Sequence, residues 1–323
     1  MTQTLFERIE EAHRAIRPQV AVTPLSHSPM LSEVTGCDVY LKCEHLQHTG
    51  SFKFRGATNK VRLLDEVTRR KGLLSVSTGN HGQGVALAGK LAGVAVTVYA
   101  AKSTSPIKLD AIRALGAELV TIDDTPLAVE IEARRQAKLK GMAFVAPYND
   151  IDVIAGQGTI GVELHEQARA AGIELAAIFA SVGGGGLISG IGTAIQQLSP
   201  ATAVVGCWPA NSTALYSSLK AGKIIEVDET ETISDGTAGG IEPDSMTFGI
   251  GQKVITHSDL VSEEEIKAAM KLLAQTDRWM VEGAAGVALA SLLKLAPEYQ
   301  GRAVAVVLCG RNIMLKKFIE AVK

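Results

Sequence analysis

The stretch HTGSFKFRGA, His48 to Ala57, sets one amine, Lys53, between Phe52 and Phe54 at what reads as the start of a helix. An amine acts as a nucleophile or base only after losing its proton, and desolvation between aromatic rings favours that loss. The alternative is a surface lysine whose stem lies along apolar neighbours. A second stretch, SVGGGGLISG, directly follows the apolar run LAAIFA. Its glycines, Gly183, Gly184, Gly185 and Gly186, let successive N–H groups turn inward, and the helix that follows adds its positive end, a combination suited to phosphate. The competing reading is a tight turn that permits close packing. In a third, SVSTGNHGQGVA, Ser77, Thr78, Asn80 and His81 bring hydroxyl, amide and imidazole groups to a helix start, as a receptor for a carboxylate or a phenolic oxygen. A polar helix cap is the other reading there. The run VVLCGRN ends the last apolar strand on Cys309, which alone reads as a buried thiol.

Two phosphate motifs do not fit. No Lys-Ser/Thr follows the glycines, and the G-x-G-x-x-G spacing ends on Ile188 or Ser189. These departures point away from nucleoside triphosphates and dinucleotides.

The elements that must position these turns are visible as alternating patterns. DVYLKCE, GLLSVST, VAVTVYA, AELVTI, MAFVAPY, LAAIFASV, AVVGCWP and RAVAVVLCG read as strands. Between them, GATNKVRLLDEVTRRK, HGQGVALAGKLAG, SPIKLDAIRALG and PLAVEIEARRQAKLKG read as helices. Near-continuous apolar strands separated by helices predict an α/β fold with parallel sheet covered on both faces. A capping box, Ser262 with Glu265, opens a later helix, and an irregular run is expected from about Lys223 to Ser258.

The 323 residues are long enough for one large domain or two moderate ones. With Lys+Arg 32 against Asp+Glu 34, the chain lacks the basic excess that a nucleic acid or an anionic membrane surface would call for. Leu175 to Ile195 is uncharged for long enough to span a bilayer but carries six glycines, so a strand, a turn and a helix explain it better. The N-terminal MTQTLFERIEEAHRAIRP has no apolar core of the signal-peptide kind. Cys37, Cys43, Cys207 and Cys309 are scattered, without a CxxC, which predicts free thiols and a cytoplasmic setting.

Taken in order, TGSFKFRGA, STGNHGQGVALA, PYNDIDVIAGQGTIGVEL, VGGGGLISGI, EGAAGVALA and LCGRN resemble the fold-type II pyridoxal-phosphate (PLP) enzymes over nearly the whole chain. The similarity is to the threonine/serine dehydratase and serine racemase branch. It implies a tryptophan synthase β-like fold of two open, twisted, mostly parallel sheets. A large domain would comprise residues 1–65 and 151–323, with a small mobile domain at 66–150, and the assembly would be a homodimer. The cofactor implied is pyridoxal 5'-phosphate. Lys53 would form the Schiff base beside Phe52, and Gly183, Gly184, Gly185, Gly186 and Leu187 would hold the phosphate. Asn80 would bond the phenolic oxygen, Glu282 would lie near the cofactor, and Cys309 would face the pyridine nitrogen. As a neutral partner there, Cys309 would favour elimination over transamination. Ser77, Thr78, Asn80 and His81 would take the substrate carboxylate, and Asp235 in SDGTAGG would complete the pocket. Glu282 and Asp235 also admit a reading as solvated loop acids.

Some positions depart from the pattern. Thr78 stands where the racemases carry a serine, and its β-branch restricts rotation. GCWPANSTALYSS has no carboxylate at Trp208 or Ala214, where metal-binding members place acids, so no metal is expected. Arg311 replaces a small residue and reads either as an exposed arginine or as a partner for a distal substrate group. The chain ends about a dozen residues after CGRN, so no isoleucine-sensing domain is expected. The expectation is a dehydratase that converts a β-hydroxy amino acid such as L-threonine or L-serine to a 2-oxo acid and ammonia. Alternatives are a dehydratase for 3-hydroxyaspartate or phenylserine, an amino-acid racemase, a non-catalytic PLP or amino-acid binder, and a nicotinamide oxidoreductase.

Overall fold

A computed structural model describes residues 3–77, 79–104 and 106–323, with backbone alone at 126 and 127. The strands are β1 (Leu25–His27), β2 (Asp38–Lys42), β3 (Leu73–Val76), β4 (Val96–Ala101) and β5 (Glu118–Ile122). They continue as β6 (Ala143–Phe144), β7 (Leu175–Ser181), β8 (Ala203–Pro209), β9 (His257–Val261) and β10 (Ala303–Val307). One sheet runs β1-β2-β10-β7-β8-β9 and the other β5-β4-β3-β6. Every neighbouring pair is parallel except β1 with β2.

The apolar runs explain the order. Strands β7 and β10 lie side by side at the centre of the larger sheet, with Val306 opposite Phe179. Both faces are covered, and Ala177, Ile178, Phe179, Ala180, Val304, Ala305, Val306 and Val307 are wholly buried. Adjacent parallel strands bring their C-terminal ends to one edge, so the turns after Ser181 and Val307 open side by side. In the smaller sheet β3 ends at Val76, and the helix Asn80–Ala92 starts four residues further on. The helix Lys53–Arg62 belongs to both layers: Phe54, Ala57 and Val61 pack with Leu73, Val85 and Val98 around the smaller sheet.

The structure differs from the sequence reading at several elements. The helix expected across 56–71 breaks into Lys53–Arg62 and Glu66–Lys71, because Asp65 caps the second by accepting from the Thr68 N–H. The strand expected at MAFVAPY shrinks to two residues. The irregular run contains a helix, Met246–Val254, whose two glycines weaken its sequence signal. Strands β1 and β9 are short or polar and escape the apolar pattern. The capping box at Ser262 and Glu265 is present.

Candidate active site

Lys53 is the first residue of its helix and is partly buried. Its Nζ donates to the Pro147 carbonyl at 2.8 Å and lies 5.2 Å from the centre of the Phe52 ring. No carboxylate forms an ion pair with it among the described residues. Desolvation therefore dominates and lowers its pKa from 10.5 to about 8, with Cys309 and Glu282 opposing. The aromatic bracket of the sequence is half realised: Phe52 flanks the amine, while Phe54 turns into the smaller sheet's core.

The glycine turn lies next to Lys53 through residues 147–148. Tyr148 follows the carbonyl that accepts from Lys53, and its ring occupies the space that a Cβ on Gly184 would fill. A Cβ on Gly183 would stand 2.9 Å from the Thr237 backbone, and Gly185 has φ +85, a conformation that only glycine adopts readily. Thr247 Oγ1 pins the turn by donating to the Gly184 carbonyl at 2.7 Å. The helix Gly186–Leu198 starts here with no side-chain cap, and the N–H groups of Gly183, Gly184 and Gly185 donate to no protein acceptor among the described residues. Free donors at a positive helix end suit a phosphate. Leu187 is buried behind the turn.

Cys309 ends the neighbouring turn. Its carbonyl accepts from the Phe52 N–H at 3.1 Å, and its sulfur accepts from Ser181 Oγ at 3.4 Å. Burial pushes the thiol up to about 12, so it stays neutral. Glu282 is buried and accepts from Asn80 Nδ2 at 2.8 Å and from the Asn312 N–H at 3.0 Å. Burial raises its pKa to about 7 against the help of the Asn80 bond.

The third turn adds the polar groups that the resemblance assigns to the substrate. The helix Asn80–Ala92 has no side-chain cap at Gly79, while Ser77 Oγ accepts from the Gly79 N–H at 3.3 Å. Buried His81 bonds the Val145 carbonyl through Nε2 at 2.8 Å. A carbonyl only accepts, so Nε2 carries the proton and Nδ1 is a bare acceptor. Burial, reinforced by Lys53, pushes His81 down to about 3 and keeps it neutral. Thr78 lies outside the described residues. Asp235 is exposed, with Lys108 at 3.5 Å and Lys317 at 3.8 Å, beside a cleft of about 300 Å³. Arg311 is exposed and lines a second cleft of about 280 Å³ with His48 and Gln83.

The structure thus brings Lys53, Phe52, the glycine turn and Cys309 together, and ties Asn80 to Glu282. Asp235 stands further out. Tyr148, Thr247, Ser181 and Asn312 were not singled out from sequence, although Tyr148, Ser181 and Asn312 lie within the PYND, SVGGGG and LCGRN segments quoted above. The donor set of a lysine amine, an uncapped glycine turn and a neutral thiol fits pyridoxal phosphate.

The model of the pyridoxal-phosphate dependent enzyme family matches residues 16–310. The chain belongs to this family. It is 40% identical over 311 residues to the L-threonine ammonia-lyase of Thermotoga maritima, a match covering 95% of this chain and 75% of that one. It is also 40% identical to the L-threonine ammonia-lyase of Geobacter sulfurreducens, covering 96% and 76%. Among solved structures, the processed form of threonine deaminase isoform 2 from Solanum lycopersicum superposes with a TM-score of 0.92 at 31% identity, covering 98% of this chain and 87% of that one. These similarities place the fold among fold-type II PLP enzymes, with pyridoxal phosphate as the family's cofactor.

Proposed function

We propose that this chain is a PLP-dependent ammonia-lyase, a carbon–oxygen lyase that dehydrates L-threonine or L-serine to a 2-oxo acid and ammonia. The observation that carries the reading is the Lys53 amine, bonded to the Pro147 carbonyl, desolvated and without an ion-pair partner among the described residues, beside an anion-ready glycine turn. The identity to two L-threonine ammonia-lyases directs it to a β-hydroxy substrate.

Pyridoxal phosphate, when bound, supplies the electron sink for the charge left at the substrate Cα. The chain's own residues do the rest. Lys53 would hold the cofactor through its amine, and its Nζ, when free, would take the proton from the substrate Cα. Gly183, Gly184, Gly185, Gly186 and Leu187 would hold the phosphate. Cys309, kept neutral and held at its sulfur by Ser181, would serve the ring nitrogen. Asn80, bonded here to Glu282, would serve the phenolic oxygen. The N–H groups opening the helix at Asn80 receive the substrate carboxylate with Ser77, while the bare Nδ1 of His81 accepts rather than donates. The β-hydroxyl leaves as water with the proton that Lys53 removed from Cα. The resulting enamine gains a proton at Cβ and loses one from nitrogen to become an imine, and water added at its C=N carbon releases ammonia and the 2-oxo acid.

Residues 66–150 form the small mobile domain, closing over the substrate against residues 1–65 and 151–323. Its cross-links to the other part, Lys108 with Asp235, Arg134 with Glu242 at 2.9 Å and Asn80 with Glu282, are the contacts such closure would make. Four free, buried cysteines suit the cytoplasm, and the apolar surface at Val22, Met30 and Val34 suits the face of a homodimer. No helix is long and apolar enough to cross a membrane among the described residues.

The test is 2-oxo acid release by the PLP-loaded protein from L-threonine, L-serine, 3-hydroxyaspartate and phenylserine in chelator-treated buffer. Release from threonine or serine is the expected outcome. Enantiomer exchange without 2-oxo acid would instead establish a racemase.

A further inference from the structure

Two residues beyond Lys53, Arg55 sits almost entirely buried. At 3.6 residues per turn the two side chains leave the helix about 200° apart, on opposite faces. Arg55 grips two carboxylates in fork fashion. Its Nε and Nη2 each donate to Glu44 at 2.8 Å, while Nη2 and Nη1 donate to Glu163 at 3.0 and 3.2 Å. Lys42 completes the group by donating to Glu163 at 2.6 Å, so two cations face two anions, all at most 1% exposed. Glu44 follows β2 and Glu163 lies in the helix Ile151–Ala170, so one guanidinium ties three segments. Close packing holds the same helix from below: a Cβ on Gly156 would stand 2.6 Å from Gly56 Cα and 2.7 Å from the Arg55 carbonyl.

We propose that Arg55 is a positioning residue for the reaction: its double fork to Glu44 and Glu163 fixes the rotation and depth of the helix whose opposite face presents Lys53. Buried ion pairs stabilise a fold little compared with apolar packing of the same volume. What a planar fork adds is direction, because two parallel bonds on each carboxylate fix the arginine in its plane. Lysine cannot reproduce that geometry. The inference rests on Lys53 being the cofactor lysine.

The test begins with borohydride reduction of the wild-type holoenzyme and mass analysis of the labelled peptide. Label away from Lys53 would overturn the cofactor assignment, and the role of Arg55 with it. With Lys53 labelled, Arg55→Lys keeps the charge and loses the forks. Its expected signature is a kcat on the best substrate lowered about 100-fold, the scale of a misplacement of about 1 Å, with KM within about threefold. The pH midpoint of holoenzyme formation from apo-protein should also move up towards the ordinary lysine value. Should R55K fail to fold, the double variant R55M/E44Q removes one opposite-charge pair as a unit and should show the same pattern. A folded variant with wild-type kcat and midpoint, or failure of both variants to fold, would overturn the inference.

Discussion

Lys42 and Lys53 lie eleven positions apart in the sequence and meet opposite fates. Lys42 is wholly buried, yet its ammonium donates to Glu163, to Gln167 at 2.9 Å and to the Thr23 carbonyl at 2.8 Å. Lys53 is less buried and, among the described residues, has the Pro147 carbonyl as its one hydrogen-bond partner. Burial lowers both pKa values; Glu44 and Glu163 oppose it at Lys42, where Glu163 bonds the ammonium directly, and Cys309 and Glu282 oppose it at Lys53 without bonding the amine. The comparison teaches that burial by itself does not make a reactive amine. Burial without a directly bonded counter-ion does, and among the described residues Lys42 has one and Lys53 has none.

Removing each lysine in turn should break this symmetry. Lys53→Ala is expected to lower 2-oxo acid release by at least about 10³-fold, within the range for loss of a general base, with the circular dichroism spectrum unchanged. Stability should separate the two lysines next. Lys42→Met leaves Glu163 short of a partner and should cost the apo-protein about 3 kcal/mol in urea unfolding. Lys53→Met removes a desolvated cation and should stabilise the apo-protein at pH 7 by up to about 3.5 kcal/mol, the fall from 10.5 to about 8 taken at about 1.4 kcal/mol for each pH unit. Equal signs for the two would dissolve the distinction.

A smaller effect probes the cofactor side. Gly184→Ala sets a methyl against the Tyr148 ring and should weaken pyridoxal phosphate binding at least about tenfold, about 1.4 kcal/mol by equilibrium titration. The smallest effect belongs to the rim. Arg134 and Glu242 are both solvent-accessible, so Arg134→Ala should change stability by less than about 1 kcal/mol, and salt should erase the difference.

Much of the site was legible because its chemistry sits in turns that glycine and polar residues mark. Gly183 to Gly186 after an apolar strand, and Ser77 to His81 after another, announce themselves locally. The central strands were legible for the same reason, as β7 and β10 are buried on both faces and read as unbroken apolar runs. The missing parts depend on distance along the chain. Pro147 lies 94 residues from the amine it binds and contributes only a carbonyl, which no residue type signals. Glu282 meets Asn80 across 202 residues, and Glu163 meets Arg55 across 108. Strand β9, HSDLV, is held by pairing with β8 rather than by its own pattern. In FKFR, Phe54 looks equivalent to Phe52 beside Lys53, yet the helix carries it round to the other core.

The claim that Lys53 is a desolvated amine without a counter-ion has a direct test in the pH dependence of holoenzyme formation. Apo-protein would be mixed with pyridoxal phosphate between pH 6 and about 11, and the rate of attachment to Lys53 followed by absorbance and checked by peptide mass. The rate should rise with pH as the ammonium loses its proton, with a midpoint near the lowered value of about 8. Over the window from about 8 to 10.5 apo-protein stability should rise as well, because there the unfolded chain holds a proton that the folded one has lost. A midpoint at the ordinary lysine value of 10.5, with no rise in stability, would contradict the account.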